Sequence, residues 1–321
     1  MKTTGETTAQ PKVSDQLARP TSGRKGLFST FKELSKSGIV VLVLISVLAG
    51  YLIGKSSETS IDWLHLAITL FGILFLASGS SALNQLQERK LDAEMPRTAS
   101  RPLPSGRLSV ANVGAFVGIM LLSGLFLLTR TTAAVFWFGV AAIIFYNGLY
   151  TIWWKRHWAY AAVPGAVPGA LPILMGYAAA SGVSFAPAGL YLFFILFFWQ
   201  MPHFWVLALR FKDDYAAGGI PTLPVAKGRG VTVFQIQLWC LAYVGLALIA
   251  PLFLRVHLLY ITIAFLVSFW VLWELKTFSK EQTGRSWLRF FLSVNFSLIL
   301  YLAAAVIDLW SLNLLAPFII R

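Results

Sequence analysis

Residues 231–254, VTVFQIQLWCLAYVGLALIAPLFL, form a run of 24 residues without a charged side chain. A helix that crosses a bilayer needs about 20 predominantly apolar residues, so this run predicts a membrane-spanning helix. The same window finds eight more runs along the chain. The sequence therefore predicts an all-α, polytopic membrane protein with nine transmembrane helices, at about 38–54, 62–84, 109–128, 133–153, 159–180, 188–209, 231–254, 257–275 and 290–310.

The composition of the whole chain agrees with a membrane protein. Of the 321 residues, 57% are hydrophobic and only 12% are charged, whereas a soluble domain carries about 25% charged residues. This deficit excludes an ordinary soluble globule and a disordered protein. The single cysteine, Cys240, excludes a disulfide framework and a cluster of cysteine ligands around a metal.

The net charge of +13 is concentrated on one side of the predicted membrane. If the N-terminus is cytoplasmic, 22 of the 26 Lys and Arg residues fall in cytoplasmic segments. Positive charge in short loops sets orientation, so we expect the N-terminus in the cytoplasm, the C-terminus outside, and no nucleic acid. Residues 1–37 are polar and predict a disordered cytoplasmic tail, with 38–321 as a single transmembrane domain. We expect a bacterial plasma (inner) membrane, with an organellar inner membrane as the alternative.

A first acidic group follows the second predicted span. Asn84, Glu88 and Asp92 are spaced i, i+4, i+8, which places the three side chains on one face of a helix. Carboxylate and carboxamide oxygens at a membrane boundary suit Mg²⁺ that keeps some waters and bridges phosphates. The alternative is a solvated, charge-paired helix end beside anionic lipid headgroups.

A second acidic group, Asp213 and Asp214, follows the sixth predicted span on the same side. Adjacent residues of a helix point in different directions, so we expect at most one of these carboxylates to share a metal with the first group. A solvated loop is the alternative. Two acidic loops on one side of the membrane together suggest two metal sites, or one bridged pair, across a cavity.

Three blocks of sequence resemble the UbiA-type membrane prenyltransferases, and within them the protohaem IX farnesyltransferases. The first is NQLQERKLDAEMPRTASRPLPSGRLS at 84–109, and the second combines YNGLYTIWWKR at 146–156 with GAVPGALPILMGY at 165–177. The third combines WQMPHF at 199–204 with DDYAAGGIPTLP at 213–224. The resemblance covers about residues 38–310, and the combined signature is much more specific than any single block.

The resemblance implies an all-helical fold around a central cavity that opens to the cytoplasmic side. It also implies that a farnesyl group passes from farnesyl diphosphate to a vinyl group of haem B, which gives haem O and diphosphate for haem–copper oxidases, with Mg²⁺ as cofactor. An allylic cation would be attacked by the vinyl group, and water would then capture the second cation as a hydroxyl. Membrane lipid is the expected surrounding, and a haem A synthase or oxidase-assembly partner is left open.

On the donor side, the resemblance assigns catalysis to Asn84, Glu88, Asp92 and Asp214, which together with Asp213 are the expected metal ligands. Glu88 stands where many members of the family carry Asp, and the extra methylene still allows metal contact. The residues expected to hold the diphosphate are basic: Arg97, Arg101, Lys155, Arg156, Arg210 and Lys212.

On the acceptor side, His203 stands about where quinone-pathway relatives carry an acid, which favours a porphyrin acceptor. We expect its imidazole to ligate the haem iron or position the acceptor, with a helix–helix hydrogen bond as the alternative. Aromatic faces can stabilise carbocations, and the candidates are Trp199, Tyr146, Tyr150 and Phe204.

Two other functions fit parts of the sequence. A prenyltransferase with an aromatic or quinone-precursor acceptor would keep the fold and change the acceptor. A transporter would use its acids to carry ions, but transporters place such groups near the midplane, whereas these acids lie at the inner boundary.

Overall fold

The computed structural model describes residues 26–55, 60–281 and 283–319. Within these ranges it contains nine helices long and apolar enough to cross a membrane, and no β-strand, which confirms the predicted all-α fold. The spanning helices are α2 (Ser37–Gly54), α3 (Trp63–Glu94), α4 (Val110–Leu128), α5 (Ala133–His157), α6 (Ala162–Ser181), α7 (Pro187–Arg210), α10 (Gly228–Leu248), α11 (Leu258–Glu281) and α12 (Gly284–Ile319). The short helices are α1 (Leu27–Leu34), α8 (Lys212–Ala217) and α9 (Leu223–Ala226).

Two predicted boundaries are wrong. The run 231–254 is not one helix, because α10 ends at Leu248 and a 3₁₀ turn follows at Ala250–Leu252; Pro251 lacks the N–H that a continuing helix needs. The predicted disordered tail, residues 1–37, is wrong where α1 forms and where α2 begins. Residues 1–25 of that tail lie outside the described residues.

Close helix contacts depend on glycine at two points of the bundle. A Cβ on Gly50 of α2 would lie 2.2 Å from the carbonyl oxygen of Ile173, and one on Gly176 of α6 would lie 2.1 Å from that of Val47. No side chain fits these spaces, so the backbones of α2 and α6 pack directly against each other. Small residues at such crossings are typical of membrane helices, where dispersion contacts stabilise packing.

The outer faces of the bundle are apolar. Leu122, Trp137 and Phe265 are more than 60% exposed, and many other large hydrophobic side chains share this exposure. A water-soluble protein rarely exposes so much contiguous apolar surface. We therefore assign these faces to lipid, which makes the chain an integral membrane protein.

The second half of α5 is wound as a π-helix over Ile144–Trp154. In a π-helix the hydrogen bonds run from i to i+5, so residues four and five apart, such as Tyr146, Tyr150 and Lys155, face the same side. The neighbouring helix α6 is also irregular, because its prolines remove helix hydrogen bonds and its axis breaks at Ala166 between two helical pieces. These two irregular segments form a wall of the cavity described next.

Candidate active site

A cavity of about 650 Å³ opens at the end of the bundle that carries the connections 95–109 and 211–227. We call this end the basic end. The cavity wall contains Asn84, Glu88 and Asp92, whose side chains lie on one face of α3 and are 3% exposed or less. The spacing i, i+4, i+8 therefore places the three oxygen-bearing groups together, as the sequence predicts. Burial of two carboxylates is costly unless each is paired.

Each of these three groups is held by a long basic side chain. Lys155 Nζ lies 2.7 Å from Glu88 Oε1, and Arg101 Nη1 lies 2.7 Å from both oxygens of Asp92. Lys36 Nζ donates to Asn84 Oδ1 at 2.9 Å. The three cations reach α3 from three different segments of the chain, so folding itself brings positive and negative charge together inside the cavity.

The carboxamide of Asn84 has a fixed orientation. The hydroxyl of Thr151 donates its hydrogen to the carbonyl oxygen of Tyr146 at 2.8 Å. The hydroxyl oxygen of Thr151 can therefore only accept further hydrogen bonds, and it accepts one from Asn84 Nδ2 at 3.1 Å. Lys36 can only donate, which agrees with Oδ1 on the other side. The oxygen of Asn84, and not its nitrogen, is therefore presented to the cavity.

Lys36 is a cavity residue that sequence reasoning missed. It lies between α1 and α2 with a left-handed backbone (φ 51°) and lines the cavity. Burial, with nearby Arg101 second, lowers the pKa of Lys36 from 10.5 to about 8. The only signal in the sequence is its position as the last cation before the first span.

The segment before Lys36 is held to α3 and to the connection after it. Gln85 Nε2 donates to the carbonyl oxygen of Leu34 at 2.8 Å, and both guanidinium nitrogens Nη1 and Nη2 of Arg107 bind the carboxylate of Glu33 at 2.9 and 2.8 Å. Leu34 is fully buried, and the ring of Phe31 packs against that of Phe116 with ring centres 5.2 Å apart. These contacts fix the backbone that carries Lys36.

A second, mostly apolar cavity of about 220 Å³ continues from the first into the bundle. The two cavities share five lining residues: Lys36, Ile39, Tyr146, Gly165 and Gln200. Going inward along α3, the second cavity is lined by Ser80, Ala77 and Leu76 and reaches Ile73. Met175 of α6 lies at the same deep end, where its side chain and that of Leu76 approach Gly139.

The predicted acceptor residues divide into two groups. Tyr146, Tyr150 and Phe204 line the main cavity, and the two tyrosine rings are nearly parallel, with centres 6.0 Å apart. Trp199 and His203 instead lie on the opposite face of α7, where Trp199 Nε1 donates to the carbonyl oxygen of Val294 in α12.

The structure places His203 away from both cavities, at a contact between helices α7 and α12. Its imidazole is stacked between Trp199 and Phe291, with ring centres 4.8 and 5.3 Å away. Its Nδ1 is buried and finds no hydrogen-bond partner among the described residues. The ring lines neither of the two cavities described above, so its role toward the acceptor stays a prediction.

The sequence profile of the UbiA prenyltransferase family matches residues 43–299. The chain belongs to that family. The family domain thus covers α3, α5, α6 and α7, which supply most of the cavity wall, and the predicted resemblance is confirmed.

Relatives within the family share both sequence and fold with this chain. A protoheme IX farnesyltransferase of Bdellovibrio bacteriovorus is 48% identical over 281 residues, covering 88% of this chain and 96% of that protein. One from Flavobacterium johnsoniae is 34% identical over 260 residues, covering 79% and 86%.

Among solved structures, a digeranylgeranylglyceryl phosphate synthase superposes with a TM-score of 0.74 at 18% identity, covering 88% of this chain and 99% of that one. A UbiA homolog from Archaeoglobus fulgidus, bound to DMAPP and Mg²⁺, gives a TM-score of 0.59 at 15% identity, with coverages of 85% and 99%. At these identities the likeness shows the fold.

The second acidic group stands apart from the first in this member of the family. Asp213 is exposed. Asp214 does not line the cavity, and its carboxylate lies 3.8 Å from Nε of Arg97, which does. Across the described ranges, no three Asp, Glu, His or Cys side chains come close enough together to hold a metal ion. The structure therefore brings Asn84, Glu88 and Asp92 together and does not bring Asp213 to them.

The predicted diphosphate-binding residues also divide. Arg97, Arg101 and Lys155 line the cavity. Arg156 and Lys212 are exposed and are not among the residues that line the cavity. Arg210 lies over the ring of Trp287 at 5.7 Å, beside a different, smaller pocket. The position of a residue in a loop does not determine the direction of its side chain, and the roles of these three residues stay predictions.

Proposed function

We propose that this protein transfers a farnesyl group from farnesyl diphosphate to a vinyl group of haem B, giving haem O and diphosphate. The observation that carries the proposal is the continuity of a charged cavity with an apolar one. A prenyl diphosphate has the same two parts in the same order. The relatives named protoheme IX farnesyltransferase supply the identity of the donor and the acceptor.

The length of the apolar cavity suits a chain of three isoprene units. On α3 the apolar cavity is lined from Ser81 to Ile73, which is about 12 Å along a helix. An isoprene unit adds roughly 5 Å to an extended chain, since its four backbone bonds are about 1.5 Å each. Three units are thus about 15 Å long, so a farnesyl chain that begins at the junction of the two cavities would reach the deep end formed by Ile73 and Met175.

The basic side chains of the cavity suit the leaving group. Departure of diphosphate builds negative charge, and donors already in place stabilise such charge without reorganisation. Lys36, Arg101 and Lys155 are long enough to turn from their present oxygen partners to phosphate oxygens. Arg97, at the rim beside Asp214, would hold the outer phosphate.

The residues also fit a magnesium ion. Mg²⁺ is usually held by one or two carboxylates together with substrate phosphates and water, and the cavity offers Glu88, Asp92 and the oxygen of Asn84. Bound there, the ion would help neutralise the diphosphate as a Lewis acid. The fit needs no contribution from Asp213.

The aromatic residues of the cavity suit the acceptor side. Tyr146 lines both cavities and Tyr150 and Phe204 line the charged one, where their faces would stabilise a cationic carbon. We place the protein in a bacterial plasma membrane with its basic end toward the cytoplasm, because most of its positive charge is there.

The test is turnover by purified protein with farnesyl diphosphate and Mg²⁺, offered haem B in one reaction and 4-hydroxybenzoate in another, with products identified by mass. We expect farnesylated, hydroxylated haem from the first and no product from the second. Asp92→Ala should abolish turnover, whereas the exposed Asp213→Ala should leave it within about twofold. Farnesylated benzoate, or full activity of Asp92→Ala, would contradict the proposal.

A further inference from the structure

Gln200 occupies the junction between the charged and the apolar cavity, and it is not used in the account above. Its side chain lines both cavities. If the diphosphate lies in one cavity and the prenyl chain in the other, the reacting carbon C1 lies at this junction. Gln200 therefore faces the place where new bonds form, provided that the proposed function holds.

The carboxamide of Gln200 is locked. Its Nε2 donates to the carbonyl oxygens of Ala166 at 3.0 Å and Leu196 at 3.2 Å, which uses both of its hydrogens. A Cβ on Gly169 would lie 2.1 Å from Gln200 Oε1, so only glycine leaves room for this amide. No described residue donates a hydrogen bond to Oε1. Because the two hydrogen bonds of Nε2 hold the amide, Oε1 is a hydrogen-bond acceptor at a fixed position.

The reaction needs such an acceptor. When C1 of the prenyl group bonds to the terminal vinyl carbon, the positive charge moves to the carbon beside the porphyrin ring. The oxygen of a water molecule then forms a bond to that carbon, and a proton of the water passes to the departing diphosphate. Electrons and atoms balance: the carbon–oxygen bond of the donor breaks, one carbon–carbon and one carbon–oxygen bond form, and diphosphate leaves with the proton.

The polar groups at the junction differ in what they offer this water. The ammonium of Lys36 has no lone pair, and the hydroxyl of Tyr146 can both donate and accept. The carbonyl oxygen of Gln200 can only accept. A water that donates one hydrogen to Gln200 Oε1 turns its lone pair away from the amide and toward the cation, which is the orientation that attack requires.

We infer that Gln200 is a catalytic residue that binds and orients, through Oε1, the water which becomes the hydroxyl group of the product. This assignment predicts a specific failure. Without the oriented water, the cation loses a proton from the neighbouring methylene, and the product is an alkene lighter by one water. The ratio of hydroxylated to dehydrated product therefore reports on Gln200 independently of the overall rate.

The test measures this ratio by mass for wild type and Gln200→Met, which keeps the length of the side chain and removes the acceptor. Loss of one hydrogen bond of ordinary strength should lower the ratio about tenfold. Oxygen-18 water identifies the hydroxyl that comes from solvent. Gln237→Met, which removes a carboxamide bonded to Ser279 far from the cavities, should keep the wild-type ratio.

Further variants separate the remaining outcomes. Gly169→Ala displaces Oε1 and should lower the ratio even if Gln200→Met fails to fold. A wild-type ratio of hydroxylated to dehydrated product in folded Gln200→Met, whatever its rate of turnover, would overturn the inference. If the ratio falls in Tyr146→Phe and not in Gln200→Met, the water is bound by the tyrosine and the inference is also wrong. If wild type makes no farnesylated haem at all, the proposed function fails, and not merely the role of Gln200.

Discussion

Replacement of Thr151 by valine tests whether the orientation of Asn84 matters. Valine has nearly the shape of threonine but offers no oxygen to Asn84 Nδ2, which now lies 3.1 Å from the hydroxyl. Leaving a buried donor without an acceptor costs about 1–3 kcal/mol, or about 5- to 160-fold in an equilibrium constant. Turning the amide would restore a partner only by removing its oxygen from the cavity.

We therefore expect Thr151→Val to weaken metal binding in the presence of a non-reacting prenyl diphosphate analogue by a factor within that range. The assay is a titration with Mn²⁺ followed by electron paramagnetic resonance, which does not depend on turnover. Thr151→Ser keeps the hydroxyl and should bind within about twofold of wild type. Thr232 is also fully buried and bonded only to a carbonyl of its own helix, α10, so Thr232→Val is the matched control. Unchanged Mn²⁺ affinity in folded Thr151→Val would refute the reasoning.

Three further predictions concern the cavity and the topology. Met175→Ala should extend the deep end of the apolar cavity, so that geranylgeranyl diphosphate becomes a better donor relative to farnesyl diphosphate in competition assays; an unchanged preference would place the chain elsewhere. His203→Ala should lower the melting temperature, because its stacked ring is lost, while the Soret band and the affinity of bound haem stay as in wild type; a shifted band would restore the role as iron ligand. Ser105→Cys should react with an impermeant thiol reagent only from the cytoplasm and Ser184→Cys only from outside, and the reverse pattern would invert the predicted topology.

The helices and the acidic face of α3 could be predicted because their signals are local. A run of about 20 apolar residues forms a helix in a bilayer, because a helix satisfies the hydrogen bonds of its own backbone. The spacing of Asn84, Glu88 and Asp92 fixes their common face once the helix is given. Both predictions needed only the period of the helix and the length of the run.

The orientation of α7 could not be predicted in the same way. The sequence around Trp199 and His203 is aromatic on every face, so it does not indicate which side meets the cavity and which side packs against α12. A costly polar group inside a membrane is often functional, but here the imidazole is enclosed between two rings. Only tertiary packing decides between these two outcomes.

The position of Lys36 in the cavity and the π-helical winding of α5 could not be predicted for a related reason. Lys36 belongs to a polar segment that predicts a tail, and it enters the cavity because Gln85 and Arg107 hold the preceding residues in place. The π-helix lies in a run without a periodic pattern, so the sequence gives no sign of the winding that aligns Tyr146, Tyr150 and Lys155. Both features depend on contacts between residues far apart in the chain.

The central claim, that one continuous cavity binds the diphosphate at Asn84, Glu88 and Asp92 and the prenyl chain below them, can be tested by photo-crosslinking. A farnesyl diphosphate analogue with a photoreactive group on its terminal isoprene unit would be bound in Mg²⁺, irradiated and mapped by peptide mass. We expect adducts at Ile73, Leu76 or Met175 that are lost on competition with farnesyl diphosphate. Competable adducts confined to exposed, lipid-facing residues such as Leu122 or Phe265 would contradict it.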